Sequence, residues 1–123
     1  MEKKTILIVE DEQDLRDVLK TALVEVGFSV VAVTRGEEVL STIQHERPDL
    51  IILDIVLPGV DGMTVLKKIR ERGMRVPVII LTNLSSDENI MKGIIRDEPS
   101  YYLVKSDSPI GDIIEKVKIS VGA

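Results

Sequence analysis

The sequence predicts an α/β domain in which helices cover both faces of one parallel β-sheet. Short aliphatic runs alternate five times with segments whose apolar residues recur at helical spacing. This alternation is typical of parallel strands joined by right-handed helical crossovers. The 123 residues can bury a substantial core, and no linker, repeat or low-complexity segment divides them. We therefore expect a single domain over residues 1–123.

The first half of the chain supplies three strands and two helices. Residues 5–9 and 50–54 are aliphatic runs bounded by polar or turn residues, which indicates strands buried on both faces. Residues 28–33 form a further strand. The first helix carries six apolar residues on one face: Leu15, Val18, Leu19, Ala22, Leu23 and Val26. It ends at Gly27, and the second helix covers 37–46.

The second half supplies two strands and three helices. In chain order we expect a helix over 63–72, a strand over 76–81, a helix over 87–96 and a strand over 101–104. The last helix begins at Ser108 as N-cap, with Pro109 in the first helical position. Asp61 and Gly62 form the turn that opens the third helix.

Composition excludes several classes of function. The net charge of −5 argues against a nucleic-acid surface, and the basic cluster at 67–75 is expected to be a solvated helix end. The absence of cysteine excludes disulfides and thiolate chemistry. No apolar run approaches the roughly 18 residues of a membrane span, and residues 1–4 do not resemble a signal peptide. We expect a cytoplasmic protein without membrane contact.

Polar side chains follow four of the five predicted strands. Glu10 and Asp11 come after the first strand, Asp54 ends the third, Thr82 follows the fourth, and Lys105 follows the fifth. Because parallel strands place their carboxyl ends at one edge of the sheet, these side chains should converge there.

Such a cluster suits phosphoryl chemistry. Carboxylates packed together repel unless a cation lies among them, and an all-oxygen site of this kind suits Mg²⁺. The Lys105 ammonium and the Thr82 hydroxyl can donate to a tetrahedral anion. Asp54 is then available as a nucleophile, since carboxylates form acyl phosphates.

Four segments carry a resemblance to the receiver domains of response regulators in two-component signalling. They are residues 6–12, 48–62, 77–82 and 102–105, in the family's order and at its spacings. The resemblance implies a flavodoxin-like three-layer sandwich, with five helices and a five-stranded parallel sheet in the order 2-1-3-4-5.

The resemblance also implies a role for each site residue. Asp54 is the phosphoacceptor, and Thr82 and Lys105 bind the phosphoryl oxygens. Mg²⁺ is held by Glu10, Asp11, Asp54 and the backbone carbonyl of Val56. Thr82 and Tyr102 form the switch that responds to phosphorylation.

The implied partners are proteins. A sensor histidine kinase or phosphotransfer protein supplies the phosphoryl group from a phosphohistidine, and an unknown output partner binds the face of helix four, strand five and helix five. The chain is expected to be a monomer or a weak dimer through that face, without direct nucleic-acid binding. The resemblance implies a signalling protein rather than an enzyme, although one that assists its own phosphorylation and slow dephosphorylation.

The chain departs from the family pattern in three places. Asn83 stands where a very small residue is usual, and Ser106 stands where proline is usual, so the Lys105–Ser106 bond should be trans. Residues 97–100 replace the usual Gly-Ala and should alter the end of helix four. Val56 and Leu84 are apolar at the positions that flank the attacking water, which predicts a long-lived phosphorylated form.

Three alternatives compete with a phosphorylated receiver. Asn83 is the one feature that favours a receiver-like domain acting by constitutive protein contact. A haloacid-dehalogenase-type phosphatase would need a second aspartate at the position of Val56. A flavodoxin-like FMN site would need a Gly/Ser/Thr loop where residues 10–12 are acidic.

Overall fold

Five parallel strands form one sheet in the computed structural model, which describes residues 3–83 and 88–122. The strands are β1 (Thr5–Val9), β2 (Ser29–Val33), β3 (Leu50–Leu53), β4 (Val78–Thr82) and β5 (Tyr101–Val104). Their order is β2-β1-β3-β4-β5. The predicted fold class and strand order are therefore confirmed.

Five helices cover the two faces of the sheet. They are α1 (Gln13–Glu25), α2 (Val39–Glu46), α3 (Gly62–Glu71), α4 (Glu88–Asp97) and α5 (Ile110–Val121). Within the described ranges, no helix is long and apolar enough to cross a membrane.

Alternate residues of each inner strand point into two separate cores. Leu7 and Val9 of β1 pack with buried residues of α2 and α3, whereas Ile6 and Ile8 pack with α1 and α5. All four are fully buried, and each such aliphatic side chain contributes about 1.5–3 kcal/mol of transfer free energy. The inner strands are apolar throughout because both of their faces are covered.

Strand register brings the predicted site to one edge. Val9 of β1 is the lateral partner of Leu53 of β3, and Thr82 of β4 is the partner of Val104 of β5. Glu10 and Asp54 therefore leave adjacent strands side by side, and Lys105 leaves the same edge of the sheet on the far side of β4.

The boundaries differ from prediction where proline and a tight turn intervene. β4 begins at Val78 rather than at residue 76, and the Pro77 carbonyl still accepts a hydrogen bond from the β3 residue Ile51. Ser108 is not the N-cap of α5, because residues 105–107 form a 3-10 turn that the Ser108 N–H closes on the Lys105 carbonyl. Pro109 takes the N-cap position with extended ψ, and the helix starts one residue later. The start predicted for the fourth helix, residue 87, lies outside the described residues.

Candidate functional site

Asp54 follows directly after β3 and is buried. Its N–H donates to the Val9 carbonyl at 3.1 Å, which fixes its backbone against β1. Only 4% of the residue is exposed. Its Oδ2 accepts a hydrogen bond from Lys105 Nζ at 2.9 Å, and its Oδ1 accepts one from the Val56 N–H at 3.3 Å. This pairing explains how a carboxylate can lie against a core of aliphatic strands.

Glu10 follows β1 and lies beside Asp54. Its Oε1 is 2.7 Å from Lys105 Nζ, and its Oε2 accepts from the Glu12 N–H at 3.0 Å. Burial raises the pKa of the Glu10 carboxyl above its ordinary value, and the charge of Asp54 adds to the rise. The hydrogen bonds from Lys105 and Glu12 oppose it.

Lys105 is the cation at the centre of this cluster. Besides Glu10 and Asp54, it faces the exposed carboxylate of Glu12 at 3.6 Å. Burial alone would lower the pKa of Lys105, but its hydrogen bonds to Glu10 and Asp54 and the charges of the same carboxylates raise it above the ordinary value. The ammonium is therefore charged at neutral pH and offsets part of the repulsion between the two buried carboxylates.

A cavity of about 460 Å³ opens beside this cluster. Its lining consists of Asp11, Glu12, Asp54, Val56, Thr82, Asn83 and Lys105. Thr82 is fully buried at the end of β4. A carboxylate, a hydroxyl and an ammonium thus border a space large enough for an anion with several waters, at about 30 Å³ of liquid volume per water.

The acidic residues are arranged as a cation site requires. Glu10, Asp11 and Asp54 each offer an oxygen, and the three oxygens lie within 4.8 Å of one another. Asp11 is exposed, whereas the other two are buried. The donor set fits Mg²⁺, which is usually held by one or two carboxylates and keeps several waters. Val56 borders the same cavity, and the role of its carbonyl as a ligand stays a prediction.

Tyr102 lies on β5 outside the cavity. It is half-buried, is the lateral partner of Ile80, and packs against the core on the side of α2 and α3. The neighbouring Tyr101 packs on the opposite side with α1 and α5. Tyr102 is therefore one strand away from Thr82, and its switch role stays a prediction.

Gly62 is a residue of the site that sequence reasoning missed. Its N–H donates to the Ile55 carbonyl at 2.8 Å. A Cβ at this position would lie 2.8 Å from the Asp54 carbonyl carbon and closer still to its oxygen. The prediction that Asp61 opens α3 is confirmed, since Asp61 Oδ1 accepts from the Thr64 N–H at 3.0 Å. A turn was already a sufficient reason to expect a glycine at position 62, so its close approach to the Asp54 backbone could not be inferred from the sequence.

Glu12 was also missed as a partner of Lys105. Its position in the acidic run after β1 was the available signal, but a third carboxylate in such a loop usually points to solvent. Its side chain is 61% exposed and reaches Lys105 across the mouth of the cavity.

The three departures have distinct structural outcomes. Asn83 is exposed at the cavity, and the Lys105–Ser106 peptide is trans, as are the other described peptide bonds. α4 ends at Asp97, and Glu98 adopts a left-handed conformation with φ of 47°. Leu84, which was expected to exclude water, lies outside the described residues.

Sequence comparison identifies similar proteins over nearly the whole chain. The pattern of the family described as response regulator receiver domain matches residues 6–118. A probable transcriptional regulator ycf27 of Porphyridium aerugineum is 37% identical over 109 residues, which cover 89% of this chain and 45% of that protein. The alkaline phosphatase synthesis transcriptional regulatory protein PhoP of Bacillus subtilis is 38% identical over 72% of this chain and 36% of its own. The chain thus spans less than half the length of these relatives.

Solved structures give the same result. The BeF3-activated N-terminal receiver domain of Klebsiella pneumoniae RstA has a TM-score of 0.87 and 30% identity, covering 98% of this chain and 100% of its own. A CheY-like receiver domain protein from Methanospirillum hungatei has a TM-score of 0.88 and 28% identity over 98% of this chain and 95% of its own.

Proposed function

The chain belongs to the response regulator receiver domain family of two-component signalling, and from this premise we propose that it accepts a phosphoryl group on Asp54. The donor is the phosphohistidine of a sensor histidine kinase or phosphotransfer protein. The observation that carries the proposal is a buried Asp54 carboxylate paired with Lys105 at the wall of a polar cavity. Residues 1–123 would form a single receiver domain, which works in the cytoplasm.

The transfer exchanges one bond to phosphorus for another. An Asp54 oxygen attacks phosphorus, the bond to the imidazole nitrogen breaks, and the imidazole leaves with the electron pair. The product is an acyl phosphate on Asp54. Lys105 and the Thr82 hydroxyl lie at the same cavity and would donate to the phosphoryl oxygens.

Glu10, Asp11, Asp54 and the Val56 carbonyl would hold Mg²⁺. The ion would supply positive charge to the phosphoryl oxygens during transfer. Lys105 already neutralises part of the carboxylate cluster. Metal affinity in the absence of phosphate should therefore be weak, and the exposed Asp11 should contribute the most accessible ligand.

The phosphorylated site would act through Thr82 and Tyr102 on a protein partner. The two residues lie on the paired strands β4 and β5, so a change at Thr82 can reach the face of α4, β5 and α5. We place the output partner on that face, which also permits a weak dimer of an otherwise monomeric chain. The net charge of −5 disfavours direct contact with nucleic acid. The chain would assist its own phosphorylation and slow dephosphorylation without acting on another substrate.

Intact-mass measurement tests the proposal. With Mg²⁺ and acetyl phosphate, the parent should gain one phosphoryl group and Asp54→Asn none. Asp61→Asn is the matched control, because Asp61 is an N-cap on the same loop and asparagine also caps helices. It should be labelled like the parent. Labelling of Asp54→Asn refutes the assignment, and no labelling of any variant favours constitutive protein contact.

A further inference from the structure

Arg70 makes an unusual set of contacts far from the phosphorylation site. Its guanidinium donates to four backbone carbonyls: Asp97 at 2.8 Å, Met74 at 2.9 Å, Val76 at 2.8 Å and Glu98 at 3.3 Å. Two of these carbonyls end α4, and two belong to the connection between α3 and β4. One side chain of α3 therefore joins three parts of the backbone.

These contacts satisfy groups that a helix cannot satisfy itself. The last carbonyls of α4 have no partner within the helix, and the rigid fork of an arginine can reach several acceptors at once. The positive charge also complements the C-terminal end of the helix dipole. Arg70 was expected to be solvated, but it is half-buried against this end of α4.

The same end of α4 carries a second arginine, Arg96, which pairs with its sequence neighbour Asp97. Asp97 is buried, and its two carboxylate oxygens accept from Arg96 Nε at 3.0 Å and from Arg96 Nη2 at 2.7 Å. Glu98 holds its left-handed conformation with its N–H on the Ile94 carbonyl at 3.0 Å. Ser100 then donates to the Val78 carbonyl at 2.7 Å, so the chain enters β5 along a fixed path.

The two ends of α4 are placed differently with respect to the site. Crossover helices run antiparallel to their strands, so the start of α4 lies on the edge where Thr82 ends β4, and its end lies on the opposite edge. The ten residues of α4 span about 15 Å. A change at Thr82 therefore reaches the start of the helix first, while Arg70 holds its end.

We propose that Arg70 is a positioning residue of the switch, which anchors the end of α4 to α3 and confines phosphorylation-linked movement to the start of that helix. This inference rests on the proposed function and adds its regulation. Residues 97–100, where the chain departs from its family, then form the fixed point of the moving helix. Partner recognition on the face of α4, β5 and α5 depends on this fixed point.

Amide hydrogen exchange without any phosphoryl donor tests the anchor. Arg70→Met keeps most of the aliphatic stem and removes the donors, and it should speed exchange at the Glu98 and Ser100 amides by about tenfold or more, since hydrogen bonds to charged groups are lost. Arg70→Lys keeps the charge without the fork and should give an intermediate rate. The matched control is Arg72→Met, which alters an exposed arginine two residues away. Equal rates in Arg70→Met and Arg72→Met overturn the anchor.

Beryllofluoride with Mg²⁺ tests the consequence for switching. In the parent and in Arg72→Met, amide shift changes along α4 should stop before residue 97 and leave 97–100 unchanged, whereas in Arg70→Met they should extend through 97–100. Shift changes in β5, which pairs with β4, are expected in all three proteins. The same pattern over α4 and 97–100 in all three proteins overturns the positioning role, even if exchange shows the anchor. A parent that does not respond near Asp54 refutes the proposed function and the switching role together, while the exchange rates still decide the anchor.

Discussion

Replacing Gly62 with alanine tests whether close packing against the Asp54 backbone is needed for the stability of the domain and for the site. The Cβ of Gly62→Ala would lie 2.8 Å from the Asp54 carbonyl carbon and 2.8 Å from the Ile55 Cα. Carbon atoms prefer separations of about 3.5–4.0 Å, so the backbone must move by about 1 Å. Overpacking of this kind costs about 1–3 kcal/mol, and rigid backbone on both sides places this case near the upper end. The melting temperature should fall by about 8–12 °C.

Gly111→Ala is the control with the opposite expected sign. Gly111 lies exposed in α5, and a Cβ there meets no atom within 4 Å. The alanine should therefore stabilise the domain by up to about 0.5–1 kcal/mol through helix propensity. Thermal and urea unfolding measure both differences.

Gly62→Ala should also slow the gain of a phosphoryl group from acetyl phosphate. A displacement of about 1 Å at a reacting group can cost about 100-fold in rate. If Gly62→Ala is as stable as Gly111→Ala and is labelled at the parental rate, the contact between Gly62 and the Asp54 backbone does not position the nucleophile.

Three further predictions concern single contacts. Glu98→Gly should raise the free energy of unfolding by about 0.5–1 kcal/mol, because glycine adopts the left-handed conformation without strain; no gain over Glu98→Ala in urea unfolding contradicts this. The Glu37 carboxyl should titrate below its ordinary pKa of 4.5, because of its hydrogen bond from Arg35, so its stabilising contribution is present above that pH and is lost as pH falls. In Arg35→Gln, NMR titration should show a Glu37 pKa closer to the ordinary value of 4.5. In the absence of metal, Lys105→Met should lower the free energy of unfolding by about 3 kcal/mol, and Mg²⁺ should restore part of this loss. An unchanged unfolding midpoint would show that the ion pairs of Lys105 do not stabilise the domain.

Local patterns in the sequence were sufficient to predict a parallel sheet with helices on both faces, whereas the strand order was predicted from the family resemblance. The aliphatic residues at 6–9 and 50–53 left no polar face, which requires cover on both sides of the sheet. Because parallel strands end at one edge, the grouping of Glu10, Asp54 and Lys105 followed from chain order before any distance was known. The contacts of Lys105 with Asp54 and Glu10 agree with that expectation.

Contacts between side chain and backbone over long separations could not be predicted. Arg70 lies 27 residues before the Asp97 carbonyl that it contacts, and a helix-end arginine carries no sign of a distant acceptor. Ser108 has the residue type of an N-cap, but the turn that begins at Lys105 decides where α5 starts. Both cases depend on how three elements meet, which hydrophobic periodicity does not encode.

The chemical identity of the phosphorylated residue is the most direct test of the account. Borohydride reduces an acyl phosphate to the alcohol but leaves a free carboxylate unchanged, so a phosphorylated aspartate is converted to homoserine. After treatment with Mg²⁺ and acetyl phosphate, followed by borohydride and peptide mass mapping, homoserine is expected at position 54 alone. Homoserine at Asp11 or Asp61, or a phosphoryl group that survives borohydride on a serine or on His45, would contradict it.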